Sequence, residues 1–303
     1  MIVAPNSPSP RASASAEAAE GRGLRPAEGT VEEVRALFAA VIAAACAIAF
    51  AFLLLPIVAI FVHVPLGDLL SALGSGVTRD ALVVSLKTSA IAHALVLLVG
   101  TPVAYLLGRR RFPGRGVVLT LVELPLVLPP AVAGVGLIAA FGRFGLLGDE
   151  LNALGIRVGF TQAAVVLAVA FVESPFYVRG AVAAFESVDG DLLSAARTLG
   201  AGSWRVFFRV AIPLAAGGLG AASALALARG LGEFGATIIF AGSLQGVTQT
   251  LPLAIYSQFD QDFDVALAIS ALFILVGAGI LIALKVFSAL DFSTRSLRGL
   301  TAR

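Results

Sequence analysis

Residues 191–214, DLLSAARTLGAGSWRVFFRVAIPL, form a polar interval between two strongly apolar segments, and the rest of the chain is organised around them. Its first half carries apolar residues at helical spacing, which predicts a short amphipathic helix that ends at Gly200. Its second half predicts another short helix, capped by the Ser203 side chain and running through Trp204 toward Pro213. The two helices and the glycine turn form a compact knob. We expect a chain that keeps such a knob in water to present it to a partner.

The composition around the knob is that of a membrane protein. Of the 303 residues, 58% are hydrophobic and 13% are charged, and the mean hydropathy is +0.96, which leaves too little polar surface for a water-soluble globule. The formal net charge of +2 is too small, and the arginines are too dispersed, to indicate a nucleic-acid partner. Cys46 is the only cysteine, which excludes an intramolecular disulfide. Membrane lipid is therefore the expected environment.

Six segments are long and apolar enough to cross a hydrocarbon layer of about 30 Å, which takes about 20 helical residues. We place them at 37–64, 81–107, 116–141, 161–178, 210–236 and 265–287. The expected fold class is an all-α polytopic membrane protein with about six transmembrane helices.

The basic residues predict which side of the membrane the knob faces. Arginines crowd the loop after the second segment and the knob itself, and basic residues recur after the last segment. Because positively charged loops stay in the cytoplasm, we expect the knob, within the loop 190–212, and both termini on that side. The composition of residues 1–35 predicts a disordered cytoplasmic tail, followed by a membrane domain at 36–290 and a cytoplasmic C-terminal tail at 291–303. No apolar signal-peptide core begins near Met1, so we expect the first membrane helix to direct insertion.

Charged and helix-breaking residues inside the apolar segments mark a candidate pathway. A charge at mid-membrane costs on the order of 3 kcal/mol or more, so it should face protein or water. Arg229 and Glu233, four residues apart, are expected to pair on one helical face near the external surface, where water relieves part of the cost. Prolines in the third segment, and proline and glycines in the fifth, free backbone groups that lipid cannot satisfy, so these two segments are expected to be interior. The candidate pathway or gate residues are Pro129, Pro130, Glu173, Arg229, Glu233, Phe234, Gly235 and Thr237.

The knob carries a motif that resembles the EAA loop of ABC-importer permeases. The residues that carry this resemblance are Ala195, Ala196, Gly200, Phe207 and Pro213. The chain departs from the family pattern at Ser194, where the family has Glu, and at Gly202, where it has Ser.

Five further blocks resemble the molybdate-type permeases in particular. They are RRFPGR at 110–115, LPLVLPP at 124–130, GEFGAT at 232–237, FAG at 240–242 and TLPLAIY at 250–256. The resemblance covers most of the chain, from about residue 80 to residue 256. It implies the fold of a type I ABC importer permease, a homodimer around one central pathway, and cytoplasmic ABC ATPase subunits docked on the EAA loops. It also implies an external substrate-binding protein that delivers molybdate or tungstate.

The resemblance assigns the docking role to the knob. The coupling residues it implies are Ser194, Ala195, Ala196, Arg197, Gly200, Ala201, Phe207 and Pro213. Neither Lys87 nor Lys285 follows the glycine pattern of a phosphate-binding loop, so energy from ATP is expected to come from the partner. No nucleophile stands at a meaningful spacing from a base, and no cofactor or metal site is expected. We therefore predict a transport subunit without catalytic residues.

Other interpretations of the same residues stay open. Sulfate and thiosulfate permeases share the glycine–glutamate block, and these oxyanions share charge and tetrahedral shape with molybdate. From another class, Glu123, Glu173 and His93 would serve as a proton relay in an ion-coupled secondary transporter. In the simplest reading, the buried carboxylates only connect helices, and the prolines and glycines only shape helix packing.

Overall fold

The fold is given by a computed structural model, which describes residues 28–300, with side chains described for 32–65, 67–284 and 286. Helices and turns make up residues 28–300, where no strand occurs, and this confirms the all-α class. The helices are α1 (Glu28–His63), α2 (Leu66–Gly74), α3 (Gly76–Arg109), α4 (Arg115–Val127), α5 (Pro130–Phe141), α6 (Gly148–Ala153), α7 (Gln162–Glu186), α8 (Gly190–Thr198), α9 (Ser203–Val206), a π-helical turn (Phe207–Ala211), α10 (Ile212–Leu231), α11 (Gly235–Ala241), α12 (Leu251–Phe259) and α13 (Phe263–Leu300).

The number of membrane spans agrees with the sequence prediction. Five helical segments are individually long and apolar enough to cross a bilayer, and the bent pair α4–α5 passes the same test when it is taken as one broken span, which gives up to six. The five are Glu32–His63, Gly76–Arg109, Gln162–Glu186, Ser203–Leu231 and Phe263–Leu284. The chain is thus a multi-pass membrane protein.

The two tails differ from the prediction at their inner boundaries. Helix α1 begins at Glu28, so residues 28–35 are helical where disorder was predicted. Helix α1 extends into these mainly polar residues because most of them tolerate helical geometry. Helix α13 likewise runs past residue 290 to Leu300. The remaining residues of the two predicted tails, 1–27 and 301–303, lie outside the described residues.

The third span is not one helix. Helices α4 and α5 meet at an angle of 114° around Leu128 and Pro129. Proline has no N–H to donate to the preceding turn and disfavours helical geometry in the residue before it, so Pro129 and Pro130 end one helix and begin the next. Pro129 is the N-cap residue of α5, and its carbonyl accepts from the Ala133 N–H at 3.1 Å.

The fourth and fifth spans have boundaries that the apolar runs did not show. Helix α7 continues past the predicted end at residue 178 to Glu186, which places Glu173 near the middle of the helix. The fifth span begins at Ser203 and ends at Leu231, whereas 210–236 was predicted. Residues 235–241 form the separate short helix α11, which the sequence did not predict.

The described chain divides into two compact units, residues 1–59 and 60–303. In the first unit the described part is a single helix, α1, with Pro56 inside it. In the second unit, α3, α7 and α10 build the main core, which includes Leu107, Phe185 and Val206.

Small residues let α7 and α10 pack closely in this core. A Cβ atom on Gly180 would lie 2.6 Å from Cβ of Ala222, and one on Gly218 would lie 2.6 Å from Cβ of Ala184. Both distances are shorter than any tolerated contact, so glycine is required at these crossing points. The close-packing role predicted for the α10 glycines therefore holds at Gly218. Gly217, by contrast, has open space around it.

Candidate functional sites: the knob and the intramembrane polar residues

The first helix of the knob, α8, has well-formed ends. At its start, Oδ1 of Asp189 accepts from the Asp191 N–H at 2.9 Å. At its end, Gly200 adopts φ +82°, its N–H donates to the Arg197 carbonyl at 2.9 Å, and the Ala201 N–H donates to the Ala196 carbonyl at 3.0 Å. This pair of bonds is a Schellman motif, which favours glycine at the left-handed position. The prediction that Gly200 ends the helix is confirmed.

The second half of the knob differs from the prediction. Ser203 does not cap a helix: it is the first residue of α9, and the N-cap residue is Gly202, which makes no side-chain bond. The helix also does not stop at Pro213, which lies in the first turn of α10. Pro213 has no N–H for a bond to the preceding turn, and the π-helical turn accommodates this, with the Ile212 N–H bonded to the Phe207 carbonyl. The knob is therefore continuous with the fifth span.

Apolar packing fixes the inner side of the knob to the spans. Leu193 and Val206 are buried, at 2% and 0% exposure, in the same core as Phe185. The Phe207 ring lies 4.9 Å from the ring of Tyr105 on α3. These contacts mean that the knob cannot shift without moving the spans that it touches.

The outer side of the knob exposes large apolar side chains. They are Leu192, Leu199, Trp204 and Phe208, of which Leu199 is 89% and Trp204 75% exposed. The Trp204 and Phe208 rings lie 4.2 Å apart. We call these four residues the apolar surface of the knob. Among the coupling residues predicted from the sequence, Ser194, Ala195, Arg197 and Gly200 are exposed, and Ala196, Ala201, Phe207 and Pro213 are partly buried.

Ser194 occupies the position where the resembling family has Glu. Its hydroxyl donates to the Gly190 carbonyl at 3.0 Å, one turn back in α8. The side chain is thus engaged with its own helix and offers no charge to a partner. Nearby, Arg109 donates to the Val188 carbonyl at 2.9 Å, which ties the end of α3 to the loop before the knob.

The first intramembrane polar cluster joins three helices. His93 on α3 bonds through Nδ1 to Oε1 of Glu173 on α7, and its Nε2 lies 2.9 Å from Oγ of Ser223 on α10. Glu173 is fully buried, and its Oε2 has no hydrogen-bond partner within the described residues. A Cβ on Gly230 would lie 2.7 Å from that oxygen, so glycine makes room for the carboxyl group. We call His93, Glu173 and Ser223 the histidine cluster.

Sequence reasoning found Glu173 and His93 separately but missed what connects them. Because 80 residues separate the two positions, neither periodicity nor spacing brings them together. Ser223 and Gly230 looked like ordinary small residues of a packed span. Their only sequence signal is that they lie on the helix that carries Arg229.

The second cluster surrounds the predicted Arg229–Glu233 pair. Nη1 of Arg229 lies 3.0 Å from Oε2 of Glu233, which confirms the pairing. Their helix ends at Leu231, however, and the Glu233 side chain is 1% exposed, so protein contacts and not water satisfy most of its carboxylate. Its Oε1 accepts from the Ala236 N–H at 2.8 Å, which places a carboxylate at the N-terminus of α11.

Helix α11 brings several other predicted pathway residues together. A Cβ on Gly235 would lie 2.4 Å from Cβ of Pro130, so the start of α11 abuts the start of α5. Thr237 is fully buried, and its hydroxyl has no partner within the described residues. The Phe234 ring lies 5.1 Å from the ring of Tyr256 on α12. The bend at Pro129 and Pro130 and the Arg229–Glu233 pair thus form one connected region.

Other charged residues lie apart from this region. Glu123 pairs with Arg179 at 2.6 Å, with side chains 37% and 63% exposed. The proton relay considered above therefore lacks Glu123, while His93 and Glu173 do make contact. Lys87 donates to Gln162 at 2.8 Å. Oδ1 of Asp262 accepts from the N–H groups of Asp264 and Val265, so the Asp262 side chain caps the start of α13.

The sequence of this chain places it in a known family. A profile of the family described as "Binding-protein-dependent transport system inner membrane component" matches residues 100–296. The chain belongs to this family, and it is an inner-membrane component of that class.

Within this family, the chain is more similar to a molybdenum permease than to a sulfate permease. The Molybdenum transport system permease protein ModB of Mycobacterium tuberculosis is 43% identical over 246 residues, which cover 80% of this chain and 92% of that protein. The Sulfate transport system permease protein CysW of Synechococcus elongatus is 34% identical over 212 residues, which cover 70% of this chain and 74% of that protein.

A solved structure shows the same fold. The bacterial ABC transporter "involved in the import of the acidic polysaccharide alginate" superposes with a TM-score of 0.67 at 16% identity, covering 86% of this chain and 99% of the matched chain. This confirms the predicted ABC-importer permease fold.

Proposed function

We propose that this chain is the membrane permease subunit of an ATP-driven importer for molybdate or the closely related tungstate. The observation that carries the proposal is the higher identity to a molybdenum permease, 43% over 80% of the chain, than to a sulfate permease, 34% over 70%. The knob supports the coupling role, because a water-facing surface of four large apolar side chains needs a protein partner to cover it.

The proposed partners follow from this role. Two copies of the chain form one central pathway, a cytoplasmic ABC ATPase docks on each knob, and an external binding protein delivers the anion. The knob and both termini then face the cytoplasm, which agrees with the arginines around Arg109 and Arg197. ATP is hydrolysed by the partner, and this chain contributes no catalytic group.

The geometry suggests how the knob drives the pathway. Trp204 and Phe208, from the apolar surface of the knob, lie at one end of the segment Ser203–Leu231, and Arg229 lies near its other end, four residues before Glu233. A displacement at Trp204 passes through the π-helical turn and α10, then reaches α11 through Glu233. Because α11 abuts α5 at Gly235 and Pro130, we propose that this contact opens and closes the external gate.

The proposed pathway must hold an anion only weakly. Arg229 is partly neutralised by Glu233 and is 34% exposed, so it attracts an oxyanion without trapping it. The unpartnered Thr237 hydroxyl and the backbone groups at the bend before Pro130 are further donors or acceptors along the same route. Pro129, Phe234 and Gly235 shape the gate without contributing charge.

The test is reconstituted transport. The chain is co-expressed with an ABC ATPase of the same organism and placed in proteoliposomes with a molybdate-binding protein of that organism, and uptake of radiolabelled molybdate is measured with and without internal ATP. We expect ATP-dependent uptake that excess sulfate does not compete away. Arg229→Ala should lower the uptake rate at least about tenfold, because the loss of a charge-assisted contact is worth on the order of 1.5–3 kcal/mol. Unchanged uptake by this variant would remove Arg229 from the pathway.

Two alternatives make different predictions in the same assay. If sulfate or thiosulfate is taken up in place of molybdate, the chain is a permease for those anions, as the similarity to the Synechococcus elongatus protein allows. The His93–Glu173 contact is the observation that favours an ion-coupled carrier. Such a carrier would transport with an ion gradient alone, and it would purify without an ATPase.

A further inference from the structure

A basic pocket lies where α3 ends beside the knob. Its volume is about 640 Å³, and it is lined by Pro102, Tyr105, Leu106, Arg109, Arg110, Arg197 and Ser203. Three of these seven residues are arginines, and no carboxylate is among them. We call this cavity the arginine pocket. The coupling role proposed above accounts for Arg197 but gives no function to the cavity.

Among the described residues, no carboxylate lines the pocket or forms an ion pair with its arginines. In the part of the chain whose side chains are described, carboxylates pair with Arg115, Arg179 and Arg229, whereas Arg110 and Arg197 have no ion pair. Arg109 donates to the carbonyl oxygens of Phe185 and Val188, which carry only partial charge. A cavity with three arginines and no acidic partner attracts an anion that can accept several hydrogen bonds at once, such as a phosphate group.

One wall of the pocket is apolar and continues along α3. Within the unit formed by residues 60–303, Leu106, Val99, Leu95 and Ile91 are 46%, 60%, 43% and 43% exposed. Pro102 is exposed too, so positions 91, 95, 99, 102 and 106 repeat at intervals of three or four residues on one helical face. This apolar stripe runs from the middle of α3 to the arginines at its end.

The pocket lies at the level expected for lipid headgroups. Helix α3 has 34 residues, which corresponds to about 50 Å at 1.5 Å per residue, whereas the hydrocarbon core is about 30 Å thick. Its last turn, with Arg109, therefore extends into the interfacial region. Basic pockets beside membrane helices at this level suit anionic headgroups.

We propose that the arginine pocket binds the phosphate group of an anionic phospholipid, with an acyl chain along the stripe from Leu106 to Ile91. Which membrane leaflet supplies the lipid depends on the orientation proposed above, in which the knob faces the cytoplasm. The binding itself does not depend on that orientation. A free oxyanion or an acidic side chain of a partner would use the arginines but leave the apolar wall unused. Of these ligands, only a phospholipid matches both the arginines and the apolar wall of the site. By binding Arg197 on the knob and the arginines at the end of α3, it would hold the knob against α3.

The experiment uses the full-length permease purified in detergent without any ATPase, so it does not depend on docking or transport. Binding of dioleoyl-phosphatidylglycerol and of dioleoyl-phosphatidylcholine is measured by native mass spectrometry. We expect preferential binding of phosphatidylglycerol, reduced about fivefold by Arg110→Ala, since one arginine near an anionic lipid surface is worth ~1 kcal/mol. The matched control is Arg111→Ala, which removes the same charge from an exposed neighbour that does not line the pocket.

Further arms identify the ligand and control for misfolding. Arg110→Lys should retain most of the binding, and Leu106→Gln should weaken it for every phospholipid that binds. Glycerophosphoglycerol, which has the headgroup but no acyl chain, and inorganic phosphate or molybdate should bind at least tenfold more weakly than the lipid.

Three outcomes would each overturn the proposal. They are equal binding of the two lipids, a loss of binding in Arg111→Ala equal to that in Arg110→Ala, and tight binding of free phosphate or molybdate. If ATPase co-purification fails while lipid selectivity persists, the proposed coupling is wrong and the lipid site stands.

Discussion

The knob and the histidine cluster solve opposite solvation problems in the same chain. The knob leaves apolar side chains such as Leu199 and Trp204 exposed, whereas the histidine cluster places a fully buried carboxyl group, Glu173, among membrane helices. Water penalises the first arrangement, and the low-dielectric interior penalises the second. Each becomes stable only when a partner is present. For Glu173 the partner is in the chain itself, and for the knob we propose that it is a separate ATPase.

The largest expected effect comes from removing the partner of Glu173. His93→Leu leaves a buried carboxyl group without its bond, and breaking a buried pair in this way costs about 3–5 kcal/mol. A large drop in the thermal unfolding midpoint of the purified permease should report it. The double variant His93→Leu/Glu173→Leu should recover part of the loss, because the buried carboxyl group that His93 bonded is then absent as well.

The control for this comparison lies on the same helix. Lys87 makes a hydrogen bond to Gln162 that is exposed, so Lys87→Leu should cost less than about 1 kcal/mol. The losses of stability are also compared among His93→Leu, Glu173→Leu and the double variant. If the loss in the double variant equals the sum of the two single losses, His93 and Glu173 act independently.

The second prediction removes the apolar surface of the knob. The double variant Leu199→Asp/Trp204→Asp should reduce retention of the ATPase at least about 30-fold, which corresponds to the ~2 kcal/mol of an interface hot spot. Thermal stability of the permease alone should change little, because both side chains are mainly exposed. Leu146→Asp, at a residue 86% exposed outside the knob, serves as the control and should leave ATPase retention unchanged. Equal retention by the knob variant would remove the coupling role from this surface.

The third prediction tests the space beside Glu173. Gly230→Ala places a methyl group about 2.7 Å from Oε2 of Glu173, and overpacking of this kind costs about 1–3 kcal/mol. Gly217→Ala on the same helix meets open space and should be neutral or slightly stabilising. Thermal unfolding of the two variants provides the measurement. If both variants behave alike, the close approach of Gly230 to the carboxyl group is not a constraint.

The smallest expected effect concerns the turn of the knob. Gly200 adopts φ +82°, and a residue with a side chain pays about 1–2 kcal/mol in this region, so Gly200→Ala should lower thermal stability modestly. Gly202→Ala is the matched control, since Gly202 has φ −64° and open space around it. The comparison would be contradicted by a larger loss of stability at residue 202 than at residue 200.

Much of the architecture could be predicted from local sequence. The six spans follow from the lengths of the apolar runs, and the end of α8 follows from glycine at residue 200, because both depend on neighbours along the chain. The continuation of α9 into α10 could not be predicted in this way. Proline at residue 213 normally marks the start or end of a helix, and only the π-helical turn before it lets the helix continue.

In the candidate pathway, too, contacts between neighbours along the chain could be predicted, whereas contacts between distant segments could not. Arg229 and Glu233 are near neighbours in sequence, and their pairing was predicted, but the short helix that Glu233 caps was not. Prolines at 129 and 130 predicted a disturbed helix, whereas the angle of 114° depends on how α5 packs against α11.

The membrane environment, the approximate number of spans and the helical knob all follow from short stretches of sequence, because apolar run length and glycine conformation are local properties. The contact between His93 and Glu173, the space that Gly230 leaves for the carboxyl group and the grouping of arginines around an apolar-walled pocket exist only in the packed helices. Those contacts join residues far apart along the chain, and their energies depend on burial and distance, which arise only when the helices pack.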